Sequence, residues 1–171
     1  MEYPKRKNTR LESWNYSENA AYFITICTQD RACILSRITS VGAGVLDRPR
    51  IELTKYGEIV EKTIYAIDKH YSDLSILKYV IMPNHIHLLV LLTGNGASRT
   101  PPPTKANETI PNLISTLKRF SNKAAGRPLW QRSYHDHVIR NESDYLEIWQ
   151  YIDNNPARWA EDCYAPQEHT L

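Results

Sequence analysis

Two histidines one residue apart inside an apolar run are the first residues of this chain whose spacing suits chemistry: His85-Ile86-His87, followed by Leu88, Leu89, Val90, Leu91 and Leu92. Strand side chains alternate faces, so both imidazoles project to one side while Ile86, Leu88 and Val90 turn to the other, into a core. Two ring nitrogens on a rigid strand suit two ligands of one divalent metal. The plainer alternative is one buried, hydrogen-bonded histidine beside one surface histidine. A rival pair, His135 and His137, has the same spacing, but Arg132, Asp136 and Arg140 stand close by. Phosphate contact or simple exposure explains that pair as well as metal does, and it ranks second.

Nearer the end, Tyr145, Ile148, Trp149 and Ile152 recur at three and four residue steps, the apolar stripe of a helix. Tyr151 lies off that stripe, sharing a face with Glu147 and, one turn on, Asn155. A tyrosine off the core stripe is free to meet a substrate. Its phenol has a reference pKa of about 10, so attack on phosphorus needs a nearby cation or base, and a metal on the histidines could instead activate the phosphate. Asn155 could add an oxygen ligand. The chain has 11 tyrosines, and plain packing of Tyr151 stays open on these residues alone.

The elements that must position these groups read as follows. Tyr22 to Thr28, YFITICT, is a strand rich in aromatic and β-branched residues, and Gly42, Gly44 and Pro49 mark a turn-rich connection. From Tyr56 to about His70, Ile59, Val60, Thr63, Ile64 and Ile67 keep helical spacing. Leu74 to Met82 and His85 to Leu92 are strands broken by Pro83 and Asn84, a hairpin or bent pair at the centre of the sheet. Residues 94–107 form a flexible, proline-rich loop. A helix is expected over Ile110 to Ala125, stopped by Gly126 and Pro128. Tyr134 to Ile139 is a short strand. Asn141 caps a last helix, with Asp144 favouring its exposed amides, that runs to about Asn154 because Pro156 disfavours helix at Asn155. The order strand, helix, strand, strand, helix, strand, helix fits an α+β sandwich, one antiparallel sheet with helices on one main face.

The length, 171 residues, suits a single domain spanning 1–171 with a basic arm over 1–20. A composition of 42% hydrophobic and 23% charged residues excludes a disordered chain, a collagen-like repeat and a simple coiled coil. No apolar stretch approaches the roughly 20 residues of a membrane span and the N-terminus lacks a signal-peptide core, so no membrane partner and a cytoplasmic location are expected. Cys27, Cys33 and Cys163, odd in number and without CxxC spacing, indicate neither a disulfide framework nor a thiolate zinc site. The net charge is only +2, but Lys5, Arg6, Lys7 and Arg10 crowd the N-terminus. Lys118, Arg119, Lys123, Arg127, Arg132 and Arg140 interleave with Phe120, Trp130 and Tyr134. Basic stretches among rings suit a polyanion whose bases can stack. Solvated helix and loop faces are the other reading of the same charges.

Taken together and in order, three stretches resemble the single-tyrosine HUH transposases, and most closely the REP-associated tyrosine transposases of bacteria. They are RLESWNYSENAAYFITICTQDR, YVIMPNHIHLLV and LWQRSYHDHVIRNESDYLEIWQYIDNNP. The resemblance implies a ferredoxin-like two-layer α+β sandwich with the histidine motif on a central strand and a catalytic tyrosine on a C-terminal helix. By it, His85 and His87 are metal ligands, Tyr151 in QYIDNNP is the nucleophile, and Asn155 holds the place of a third, amide-bearing ligand. The implied cofactor is Mg²⁺ or Mn²⁺, and the implied substrate is single-stranded DNA with hairpins from palindromic repeats. Cleavage and rejoining would pass through a 5′-phosphotyrosine, in a monomer or homodimer. Lys5, Arg6, Lys7, Arg10, Lys118, Arg119, Lys123, Arg132, His137 and Arg140 are the candidates for gripping the DNA. The loops at 40–50 and 94–107 match no part of that pattern. A histidine-triad nucleotide hydrolase fails because Leu89 stands where its third histidine belongs. A non-catalytic DNA-hairpin-binding relative is the alternative from a different class.

Overall fold

The computed structural model describes residues 20–39, 49–93 and 109–165. The basic arm with Lys5, Arg6, Lys7 and Arg10, most of the 40–50 loop and the 94–107 loop lie outside the described residues.

The chain forms β1 (Ala21–Cys27), a ribbon of β2 (Ser36–Thr39) and β3 (Arg50–Leu53), α1 (Lys55–His70), β4 (Leu74–Ile81), β5 (His85–Leu92), α2 (Thr109–Ala125), β6 (His135–Ile139) and α3 (Glu142–Asn154). Four strands make one sheet in the order β4-β5-β1-β6, with every neighbouring pair antiparallel. Two βαβ halves, β1-α1-β4 and β5-α2-β6, therefore interleave, which is the ferredoxin-like topology. Their interleaving makes β1 and β5 the inner strands.

Alternation divides the sheet into two faces. Tyr22, Ile24 and Ile26 of β1 and Ile86, Leu88 and Val90 of β5 are buried in one cluster with Val60, Ile64 and Ile67 of α1 and Leu113, Ile114 and Leu117 of α2. The helices supply these side chains at three and four residue steps, so each lays one stripe on the sheet. The other face is covered too, which one main helical face does not describe. There Ile148 and Ile152 of α3 pack with Val80, Met82 and Leu89, and the ribbon adds Ile38 and Ile51. Once the chain leaves β6 at the sheet edge, the Tyr145–Ile152 stripe has this uncovered apolar face to bury against. The histidines share that face.

Local signals fix the helix ends. The Thr54 hydroxyl accepts from the amides of Tyr56 and Gly57 at the start of α1, Asn141 accepts from Asp144 N at 2.8 Å to start α3, and Gly126 at φ 68° follows α2. The first of these caps is docked tightly, because Thr54 N and its hydroxyl also donate to the Leu35 carbonyl. A Cβ at Gly57 would stand 2.1 Å from that carbonyl oxygen. Gly57→Ala is therefore expected to cost at least about 3 kcal/mol, the upper end for overpacking, seen as a fall in the urea midpoint. Among the described residues no helix is long and apolar enough to cross a membrane.

Candidate metal and tyrosine site

His85 and His87 are fully buried, with 0% and 1% of their surface exposed. The His85 ring is oriented from behind by Asn84. The two N–H groups of its amide donate to the carbonyls of Arg31 at 3.2 Å and Tyr164 at 2.6 Å, which turns its Oδ1 to His85 Nδ1 at 2.9 Å. An amide oxygen only accepts, so the network assigns the His85 proton to Nδ1 and leaves Nε2 with a free lone pair. His87 Nδ1 meets the Thr25 hydroxyl at 2.8 Å, a partner able to donate or accept. The two Nε2 atoms lie 3.0 Å apart, a hydrogen bond in which His87 Nε2–H donates to the lone pair of His85 Nε2, with the His87 Nδ1 then accepting from Thr25. That separation matches two adjacent ligands each about 2.1 Å from one ion.

Burial pushes the pKa of His85 down to about 4, with Asp162 opposing and Arg31 assisting, and lowers His87 well below the usual range, with the charge of His85 adding to the effect. Both rings are neutral at neutral pH, the state a ligand needs. The linkage has a definite sign. In the unfolded chain the rings take up protons near pH 6.5, so stability is fully present above that pH and is lost as pH falls toward 4. In chelator, the thermal midpoint is expected to be flat above pH 7 and to drop between pH 6.5 and 5, with a shallower drop for His85→Gln.

A third donor comes from a residue the sequence reading did not select. His85, His87 and Asp162 bring one ligand atom each within 4.8 Å of one another. Asp162 follows a 3₁₀ stretch over Pro156–Glu161, kinked at Arg158, that turns the chain back after α3. Its carboxylate accepts from Tyr164 N at 2.7 Å and from Asn155 Nδ2 at 3.1 Å. Asn155 itself is buried, and its Oδ1 has no hydrogen-bond partner among the described residues. A buried oxygen of this kind costs free energy until something donates to it or binds it. Two neutral imidazoles, a carboxylate and an orphaned amide oxygen fit a hard or borderline divalent cation.

Tyr151 stands over the same face. Its ring meets the edges of Phe23 at 5.8 Å and His87 at 5.3 Å, while 40% of the residue stays exposed. Burial raises its pKa, the charges of Asp162 and Cys163 raise it further, and a hydrogen bond from Asn155 works against them. Outside the phenol lies an open cleft of about 480 Å³ lined by Gln150, Asn154, Asn155, Arg158 and Asp162. On the other flank the Tyr164 ring packs 4.7 Å from His85.

The remaining candidates are dispersed. Arg119, Lys123, Arg132 and Arg140 are exposed, and α2, which carries the first two, packs on the face opposite the imidazoles. The Lys118 ammonium donates to the carbonyls of Gln131, Arg132 and Ser133 at 2.8, 3.2 and 3.1 Å, tying α2 to the segment before β6. Burial lowers its pKa to about 8. His135 and His137 do face the same side as His85 and His87, but from edge strand β6 across β1. There His137 pairs with Asp144 at 2.8 Å.

No protein-family model matches the chain. An uncharacterized protein of Haemophilus influenzae is 29% identical over 92% of this chain and 91% of its own. A second chain from the same organism, named "Putative REP-associated tyrosine transposase", is 24% identical over 84% of this chain and 74% of its own. Among solved structures, that of a REP-associated tyrosine transposase bound to a REP hairpin superposes with a TM-score of 0.59 at 20% identity, covering 87% of this chain and 74% of that one. In sequence and in fold, the chain resembles the REP-associated tyrosine transposases.

Proposed function

We propose that this protein is a metal-dependent transposase or endonuclease that cleaves and rejoins single-stranded DNA at hairpin sites, with Tyr151 as nucleophile. The observation that carries the reading is the meeting of a tyrosine hydroxyl-bearing ring with a pair of neutral, lone-pair-bearing imidazoles and a carboxylate in one partly open site. His85, His87 and Asp162, with Asn155 adjacent, would hold the ion. Mg²⁺ or Mn²⁺ bound there would supply charge stabilisation to a phosphoryl oxygen and to the departing oxygen.

The chain's own part is to position and to move one proton. Asn84 and Thr25 hold the two rings, and Phe23 and His87 flank Tyr151 at one edge of the site. The phenol proton passes to solvent in the open cleft, the phenol oxygen bonds to a backbone phosphorus, and the departing 3′ oxygen takes a proton up. The bond from phosphorus to the 3′ oxygen breaks, leaving a free 3′-hydroxyl and a 5′-phosphotyrosine. One phosphodiester replaces another, so the step needs no outside energy source and runs backward with a new 3′-hydroxyl. The hydrogen bond from Asn155 favours the phenolate against the burial that opposes it. DNA-hairpin binding by a relative of known structure supports the substrate class.

The test is incubation of the protein and Mn²⁺ with a labelled oligonucleotide that carries a hairpin and a single-stranded flank, drawn from palindromic repeats near the coding region. A protein-linked strand on a denaturing gel is the expected result. Hairpin binding without any linked strand would favour the non-catalytic alternative.

A further inference from the structure

Between β1 and β2 two consecutive residues without a glycine's freedom, Asp30 at φ 54° and Arg31 at φ 52°, adopt left-handed backbone. Side chains disfavour that region, so such a pair persists only where its surroundings hold it. Several hydrogen bonds do so: Gln29 N donates to Leu129 O at 2.8 Å, Arg31 N to Thr28 O at 3.2 Å, and Ala32 N to Gln29 O at 3.1 Å. The Arg31 carbonyl is one of the two that Asn84 grips while it orients His85.

This turn delivers a cation to the edge of the metal site. The Arg31 guanidinium lies 5.3 Å over the ring of Tyr164, the ring that packs against His85. Its charge is felt at both Cys27 and His85. Yet its hydrogen bond to Cys163 O is long, 3.4 Å, and among the described residues no carboxylate lies within ion-pair reach of it. The other arginine near the site, Arg158, lines the open cleft and makes an exposed ion pair with Glu161 at 3.5 Å. Cation over ring is a weak interaction at an exposed site and leaves the fork of the guanidinium largely uncommitted. An unpaired guanidinium held beside a phosphate-handling centre is what an anionic strand needs, since the planar fork fits phosphate oxygens two at a time.

We propose that Arg31 binds a backbone phosphate of the single strand that enters the site. The assignment rests on the DNA-cleaving reading above and adds a residue that the basic stretches of the sequence did not include. The experiment measures binding by fluorescence anisotropy in a Tyr151→Phe background, so that no cleavage intervenes, with two probes: a hairpin carrying its single-stranded flank and the same hairpin without it. Arg31→Ala should weaken the flanked probe about tenfold or more and reduce its salt slope by about 0.7, the share of one single-strand phosphate. The bare hairpin should bind as before. Arg31→Lys should keep the salt slope and part of the affinity. Arg31→Gly, which adopts φ 52° without strain, should repeat the alanine result in a protein that melts no lower than its parent. Equal losses on both probes, or none on either, would overturn the assignment to Arg31 alone. Failure of the parent protein to bind either probe would remove the DNA-cleaving reading, and this inference with it.

Discussion

Tyr151→Phe is expected to form no covalent adduct with a flanked hairpin while folding and binding the DNA as the parent does. The phenol oxygen is the only heavy atom removed, and the hydrogen bond it takes from Asn155 belongs to the site rather than to either apolar cluster. Ile148 and Ile152, not Tyr151, anchor α3 to the sheet. The expected loss of cleavage is at least about 10⁴-fold, since without the nucleophile only positioning and charge stabilisation remain. Tyr145→Phe is the fitting control, because Tyr145 packs against Trp149 within the second cluster, with ring centroids 5.8 Å apart. Tyr164→Phe is the more demanding one. That ring also touches His85, so a nucleophile chosen by proximity alone has two candidates. Linked strand from Tyr151→Phe, read on a denaturing gel, would transfer the role to another tyrosine.

Asp162→Asn should weaken Mn²⁺ binding about 100-fold or more, measured by calorimetric titration. The substitution keeps shape and one acceptor for Tyr164 N but removes the charge that two neutral imidazoles cannot supply. Glu161→Gln changes a neighbouring acid that pairs with exposed Arg158, so it should bind the ion as the parent does. Asn155→Ala separates the two oxygen donors. If Asn155→Ala abolishes binding and Asp162→Asn leaves it intact, the orphaned Oδ1 and not the carboxylate completes the site.

The side on which Tyr151 and the histidine pair stand is legible because periodicity is a local property. A helix stripe at Tyr145, Ile148, Trp149 and Ile152 says which side is covered, and strand alternation says which side His85 and His87 share. Asp162 obeys no period. It reaches the imidazoles because the chain reverses after Asn155-Pro156, and only that dipeptide hinted at a turn there. The β2–β3 ribbon was read as part of a turn-rich connection for a related reason. Four-residue strands such as RIEL and SRIT, half or more polar, carry too few alternations to stand out. Lys118 was legible as a cation in a basic stretch, but the three carbonyls that receive its protons belong to a segment more than ten residues away. Arg31 was hidden by its backbone, since nothing in the letters Gln29-Asp30-Arg31 announces a left-handed pair.

The nitrogen and oxygen donors sit on parts of the fold that open by different routes. His85 and His87 lie on β5, an inner strand between β4 and β1, and His87, paired on both sides, is expected to exchange its amide with solvent deuterium only when the whole sheet comes apart. Asp162 follows the last helix, secured by the Asn84 to Tyr164 bond, by Asn155 and by a long contact from Arg31. Fraying of that short segment detaches the carboxylate while both imidazoles stay in place. Metal should therefore leave at the rate of this local opening, faster than the protein unfolds, and the amides around Tyr164 should exchange on that shorter clock.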